Sequence, residues 1–160
     1  MSNGVIAADV VEVVETGFLK TKHVFRTLSE TFGVFTLNAG ISSGSYAGND
    51  GSSLKFNRTN FWRSHYDLQK NGAVLGSAAP RGKLSRSFLI SFEEELFGLF
   101  RGGKLKSWVI KNNLDQVLCE FRPRGVFKRG AIIMILSPLP FNLLLFSYCL
   151  VSKRWQEQSS

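Results

Sequence analysis

Histidine and cysteine are almost missing from this chain of 160 residues, which holds two of each. His23 and His65 lie far apart and in no cluster with other ligating side chains, so no metal site is expected. Cys119 and Cys149 sit in apolar surroundings without a CxxC pattern, and read as reduced core thiols of a protein in a reducing compartment. No GxSxG, no HExxH and no Cys/His pairing is present, and Glu93, Glu94 and Glu95 read as a solvated acidic turn. These absences argue against an enzyme, and no catalytic residue and no cofactor is nominated. Acidic residues are also sparse: 12 Asp and Glu face 20 Lys and Arg, a formal charge of +8 that favours anionic partners. The start of the chain carries Asp9 and Glu12 and lacks the basic segment before an apolar run that marks a secretory leader. A cytoplasmic protein is expected, either free or peripheral at membranes.

What is plentiful is phenylalanine. Fourteen Phe, 44% hydrophobic and 20% charged residues describe a chain that folds, and large aromatics suit a packed interior of strands better than a helical bundle. The length allows one domain. Residues 1–33 are the hardest to read, because Val10, Val11, Val13 and Val14 favour a strand whereas Phe18, Phe25, Leu28 and Phe32 fall nearer helical spacing. Residues 41–53, ISSGSYAGNDGSS, are predicted to be a Gly/Ser-rich loop, and they lack the Gly-Lys-Ser/Thr ending of a phosphate-binding loop. Beyond it, residues 61–70 and 73–78 flank Asn71-Gly72, a strong hairpin signal. Further strands are predicted at 86–92, 96–101, 105–110 and 116–122, punctuated by Gly102-Gly103 and Asn112-Asn113.

An internal repeat reinforces this reading. Val74-Leu75, Pro80-Arg81-Gly82, Arg86 and Leu89-Ile90 recur as Val117-Leu118, Pro123-Arg124-Gly125, Arg129 and Ile132-Ile133, with a one-residue shift in the preceding strand. Two copies of one β-unit are expected.

Residues 131–151 carry no charge and are long enough to span a bilayer. Pro138 and Pro140 divide them, because a continuous helix would lose hydrogen bonds and clash there. Residues 131–136 are predicted to be a strand buried on both faces, and residues 140–155 a central helix apolar on nearly every side, closed by Lys153 and Arg154. A helix of that kind belongs inside protein.

Residues 66–76 (YDLQKNGAVLG), 86–92 (RSFLISF), 107–118 (SWVIKNNLDQVL) and 127–155 together resemble the tubby-like barrel superfamily, which includes the tubby C-terminal domain, the phospholipid scramblases and the LURP-one-related proteins. The resemblance covers about the last hundred residues. It implies a mainly β fold: a closed or nearly closed antiparallel barrel of about twelve strands around a hydrophobic C-terminal helix, with one or two strands dispensable in so short a chain. It further implies a binding or scaffold role at anionic phospholipid or phosphoinositide headgroups, with no family site residue carried over.

The residues themselves nominate a basic stretch. Arg101, Lys104, Lys106, Arg122, Arg124, Lys128 and Arg129 are the candidate anion-binding residues, and Lys104/Lys106 and Arg122/Arg124 would each share a strand face and grip one phosphate. Two other readings compete: a small tail-anchored membrane protein using residues 131–151, and a nucleic-acid module, which lacks any RNP-type, KH or zinc-finger pattern.

Overall fold

The structure, a computed structural model, describes residues 4–6, 9–38, 43–60, 64–82, 86–104, 106–125 and 128–159. Its strands follow one another as β1 (Val10–Thr16), β2 (Lys20–Arg26), β3 (Thr31–Asn38), β4 (Ser43–Gly48), β5 (Ser53–Asn60), β6 (His65–Lys70), β7 (Ala73–Pro80), β8 (Phe88–Phe92), β9 (Glu95–Arg101), β10 (Trp108–Lys111), β11 (Val117–Pro123) and β12 (Gly130–Ile135), before helix α1 (Phe141–Ser159). Every strand pairs antiparallel with its neighbours in sequence, and β1 closes on β12 through Val10↔Met134 to Val14↔Gly130. The result is a closed up-and-down barrel of twelve strands with no free edge. No strand of the expected barrel is lost.

Alternation builds the wall. On β8 the pattern is buried, exposed, buried, exposed, buried, so Phe88, Ile90 and Phe92 face inward. On β2 Thr21, His23 and Phe25 face inward while Lys20, Lys22 and Arg26 face out. The inward residues meet α1, whose Leu143, Leu144, Leu145, Phe146, Tyr148, Leu150 and Val151 are all fully buried. Aromatic rings line the contact: Phe25 stands edge-on to Tyr148 and Phe141, and Phe56 to Phe146. Gly76 faces inward too, where a Cβ would crowd the rings of Phe92 and Phe146. Among the described residues no helix is long and apolar enough to cross a membrane, because residues 131–151 are shared between β12, a bend and α1. Cys119 and Cys149 are free and buried, as expected.

Several local expectations are corrected. The Gly/Ser-rich stretch at 41–53 is not a loop over its described length: Ser43–Gly48 is β4, and only the turn around Asn49 to Ser52 is irregular. Glycine and serine fit there because a Cβ on Gly44 would collide with the ring of Phe35. The hard-to-read first thirty-three residues hold β1, β2 and the start of β3. Strand β12 is buried on its inner face alone, through Ala131 and Ile133, while Ile132 and Met134 are partly accessible. The strand predicted at 105–110 is observed only from Trp108, since Gly103, Lys104 and Lys106 belong to the turn before it, Lys106 with φ 60°, and Leu105 lies outside the described residues. The predicted strand at 61–70 is observed from His65, its first three residues lying outside the described ones. Helix α1 runs four residues past the predicted end, so Lys153 and Arg154 lie well inside it.

The repeat is real in space. Strands β6, β7 and β8 correspond to β10, β11 and β12, and both Pro80 and Pro123 end their strands at the same end of the barrel. The loop closures match as well: Arg81 N–H donates to Ser87 O at 3.0 Å, and Arg124 N–H to Gly130 O at 3.3 Å.

Two outcomes follow from this packing. Leu144→Asp, or truncation before Phe141, should abolish the folded state, since each buried apolar side chain of α1 contributes about 1.5–3 kcal/mol against a net stability of roughly 5–15 kcal/mol; loss of a cooperative urea transition by circular dichroism checks this. The β8–β9 turn is made by Glu93 and Glu94 with φ of 48° and 68°, a conformation that suits Asn and Gly. Replacing the pair by Asn-Gly should therefore stabilise the protein by about 1 kcal/mol, read as a raised thermal midpoint.

Candidate functional site

An up-and-down barrel sorts its loops. The connections after β1, β3, β5, β7, β9 and β11 all lie at one end, and those after the even-numbered strands lie at the other. Helix α1 follows β12, so it enters at the even end and emerges at the odd end. There Trp155 Nε1 donates to Lys106 O at 2.8 Å, and Arg154 Nε to Arg86 O at 3.1 Å.

Charge is segregated along this axis. At the end where α1 emerges lie Lys20, Arg81, Arg86, Arg101, Lys104, Lys106, Arg124, Lys128 and Arg129, joined by Lys153 and Arg154 and opposed by Glu15 and Glu157. The far end carries Asp9, Glu30, Asp50, Glu93, Glu94, Glu95 and Asp115, with Arg26, Lys70 and Lys111 among them. Helix α1 has no acidic residue in its first turn and no basic one in its last. The barrel rims supply both, placing negative charge around the helix N-terminus and positive charge around its C-terminus.

The seven nominated residues divide by their partners. Arg122 and Arg124 do not grip one anion from a shared strand face: Arg122, on the outer face of β11, pairs with Glu120, whereas Arg124 follows the end of β11 with its Nε 3.3 Å from Glu12, whose carboxyl is held below its usual range chiefly by a hydrogen bond from Arg26. Arg129 pairs with Glu15 and donates to the carbonyl of Gly17. Arg101 lies over the Trp108 ring at 5.9 Å. Lys104 and Lys106 do not share a strand face, since both sit in the β9–β10 turn, where Ser107 Oγ donates to Lys104 O at 2.8 Å. Lys106, Lys128 and Arg129 do converge. Together with Glu15, which pairs with Arg129, and with Ser152, Gln156 and Gln158 they line a hollow of about 440 Å³ at the mouth of the barrel beside α1. A roomier hollow of about 1050 Å³ lies toward the other end, between β1 and the β2–β3 loop, where Asp9, Glu12 and Glu30 make it unsuited to anions.

No family model matches this chain, and no curated protein or solved structure matches it either.

Beneath the mouth is a polar network among apolar side chains. His23 is fully buried, with Nε2 2.9 Å from Thr21 Oγ1 and Nδ1 2.7 Å from the Tyr148 hydroxyl. A neutral imidazole, donating from one nitrogen and accepting at the other, joins the barrel wall to the helix. Burial pushes its pKa down to about 4, against the pull of Glu15, and Arg129 adds to the depression. Burial likewise raises the Tyr148 hydroxyl well above its usual value. Among the described residues no group of His, Cys, Asp and Glu is placed to hold a metal ion.

The site holds residues that sequence reasoning did not nominate. Arg81 and Arg86 belong with Arg124 and Arg129 as repeat counterparts, and the repeat itself was the signal that could have found them. The role of His23 was legible only from strand alternation, which places Thr21, His23 and Phe25 on one face once β2 is assigned.

The buried imidazole makes stability depend on pH in a definite direction. The unfolded chain takes a proton on His23 near its ordinary value of 6.5, whereas the folded chain resists until about 4. The contribution of this group is thus complete above the upper value and is lost as the pH falls toward the lower one, by about 2 kcal/mol between roughly pH 7 and 5. Urea unfolding of the wild type and His23→Gln at the two pH values checks it: the variant should be less stable at neutral pH and should lose correspondingly less on acidification.

Proposed function

We propose that this protein is a non-enzymatic member of the tubby-like barrel superfamily whose basic end binds anionic phospholipid headgroups at the cytoplasmic surface of a membrane. The observation that carries the reading is the segregation of charge along the barrel axis, which turns one end of the molecule toward an anionic surface and the other away from it. Lys104, Lys106 and Lys128 are exposed on the mouth and would face headgroup phosphates, the last two across the hollow beside α1. Arg122, Arg124 and Arg129, held by glutamates, contribute to the field and to the wall. A barrel threaded by a helix, ending in an apolar strand, a Pro-containing bend and that helix, supports the family assignment. A tail anchor would need residues 131–151 to leave the barrel as one helix, which would strip both β12 and the core from the fold.

The test is co-sedimentation with phosphatidylcholine vesicles containing phosphatidylserine, at low and high salt. The wild type should bind and should be released by salt. Replacing Lys104, Lys106 and Lys128 together by Ser should weaken binding by about tenfold to a hundredfold, each cation near the surface being worth about 1 kcal/mol at most. Arg122→Ser should change it little. A wild type that ignores these vesicles at low salt would sink the proposal.

A further inference from the structure

Exposed apolar side chains occur at both ends of the barrel, but their surroundings differ. Leu28, Leu114 and Leu136 are exposed at the even end, among Glu30, Asp115 and Asp9. At the basic end the β1–β2 loop carries two adjacent ones, Phe18 at 88% and Leu19 at 76% exposure. Neither packs on the barrel wall, and large neighbouring apolar groups left in water on an ordered loop mark a surface meant to be covered.

The loop is held in place. Gly17 has φ of 95°, and a Cβ there would lie 2.3 Å from Lys20 O, so the tight reversal that projects the next two residues needs glycine. Arg129 donates to the Gly17 carbonyl while pairing with Glu15, and Arg124 Nη1 donates to Arg129 O at 3.2 Å. These contacts tie the apolar tip to the β11–β12 loop that carries Lys128. Lys20 and Lys22 follow the tip along β2, both exposed. Two bare apolar residues are thereby fixed in a ring of cations.

Resting on the headgroup reading above, we infer that Phe18 and Leu19 form a membrane-insertion tip, entering the headgroup and upper acyl region of an anionic bilayer while the surrounding cations remain at the phosphate plane. The chemistry distinguishes a bilayer from other anions. A soluble phosphate or a nucleic-acid backbone offers charge without an apolar layer beneath it, and gives Phe18 and Leu19 nothing to enter. A bilayer offers both, and aromatic residues settle at its interface. The tip would also fix orientation, since insertion of one loop beside the mouth sets the tilt of the barrel axis.

The experiment combines Phe18→Ser with Leu19→Ser and compares it with Leu28→Ser, a still more exposed position at the acidic end. All three positions are in water, so melting temperatures should stay at the wild-type value. On phosphatidylcholine vesicles containing phosphatidylserine the double variant should bind at least about tenfold more weakly, as expected for apolar area no longer buried, and the Leu28 variant unchanged. A Phe18→Trp variant should show blue-shifted indole emission on these vesicles and quenching by brominated acyl chains. Equal binding by wild type and double variant, with unquenched emission from the Phe18→Trp variant, overturns the insertion tip and leaves the electrostatic headgroup reading standing. A wild type that ignores the vesicles overturns both. Wild-type binding to inositol hexakisphosphate or an oligonucleotide at low salt, with no vesicle binding, also overturns the tip and assigns the basic end to a soluble anion or nucleic acid.

Discussion

A helix that is apolar on every side cannot be left in water, and the whole architecture answers that constraint. From Phe141 to Ser152 every residue of α1 is buried. No single sheet could cover such a helix, because a sheet covers one side of it. A closed wall covers all of them, and twelve strands joined by short connections are enough to encircle it. The wall in turn needs an inner surface of large side chains to reach the helix, which is where most of the described phenylalanines go: Phe25, Phe35, Phe56, Phe88 and Phe121 are all fully buried or nearly so. Its outer surface is then free to carry charge.

Polar groups inside such a core need partners, and several find them locally, although the buried Trp108 Nε1 has no hydrogen-bond partner among the described residues. Ser147 Oγ donates to Leu143 O at 2.8 Å, one turn back along the helix. His23 and Thr21 reach from β2 to Tyr148, a specific link between wall and helix where the other contacts are apolar and nondirectional. Toward the mouth, Arg154 is buried but engages Arg86 O, Glu157 and the face of Phe88, so its charge is never left alone. These contacts fix both the rotation and the depth of α1 within the barrel.

Much of this was legible in the sequence, for identifiable reasons. The hairpin at Asn71-Gly72 was readable because both positions take positive φ, 54° and 80°, which few other residue pairs tolerate. The central helix was readable because two prolines break a long apolar run into pieces too short to span a bilayer. The repeat supplied β6 to β8 and β10 to β12. By contrast, β4 hid behind glycine and serine, whose small size answers the crowding of Phe35 and Tyr46 and not a need to turn. The first strands hid because Phe25 and Phe32 combine two periodicities, one from β2 and one from β3, that blur when read as a single segment. The basic mouth was half legible: the sequence concentrated cations in residues 101–129, but which of them converge depends on which strands run toward which end. Arg122 and Lys128 look alike in the chain and differ only in that one meets Glu120 on the outer wall and the other faces the mouth.

The order of elements along the chain has a consequence for how the molecule comes into being. The helix at the centre of the barrel is synthesised after all twelve strands, and the barrel closes through β1 and β12, whose partners Val10 and Met134 are far apart in the sequence. Until α1 has emerged, the growing meander has hairpins but nothing to fold around, and its inward phenylalanines remain uncovered with both outer strand edges open. Folding is then expected to be slow and largely post-translational, with a late cooperative step in which helix capture and wall closure occur together. During that interval the nascent chain exposes the apolar surface and open edges that make a folding intermediate prone to aggregation.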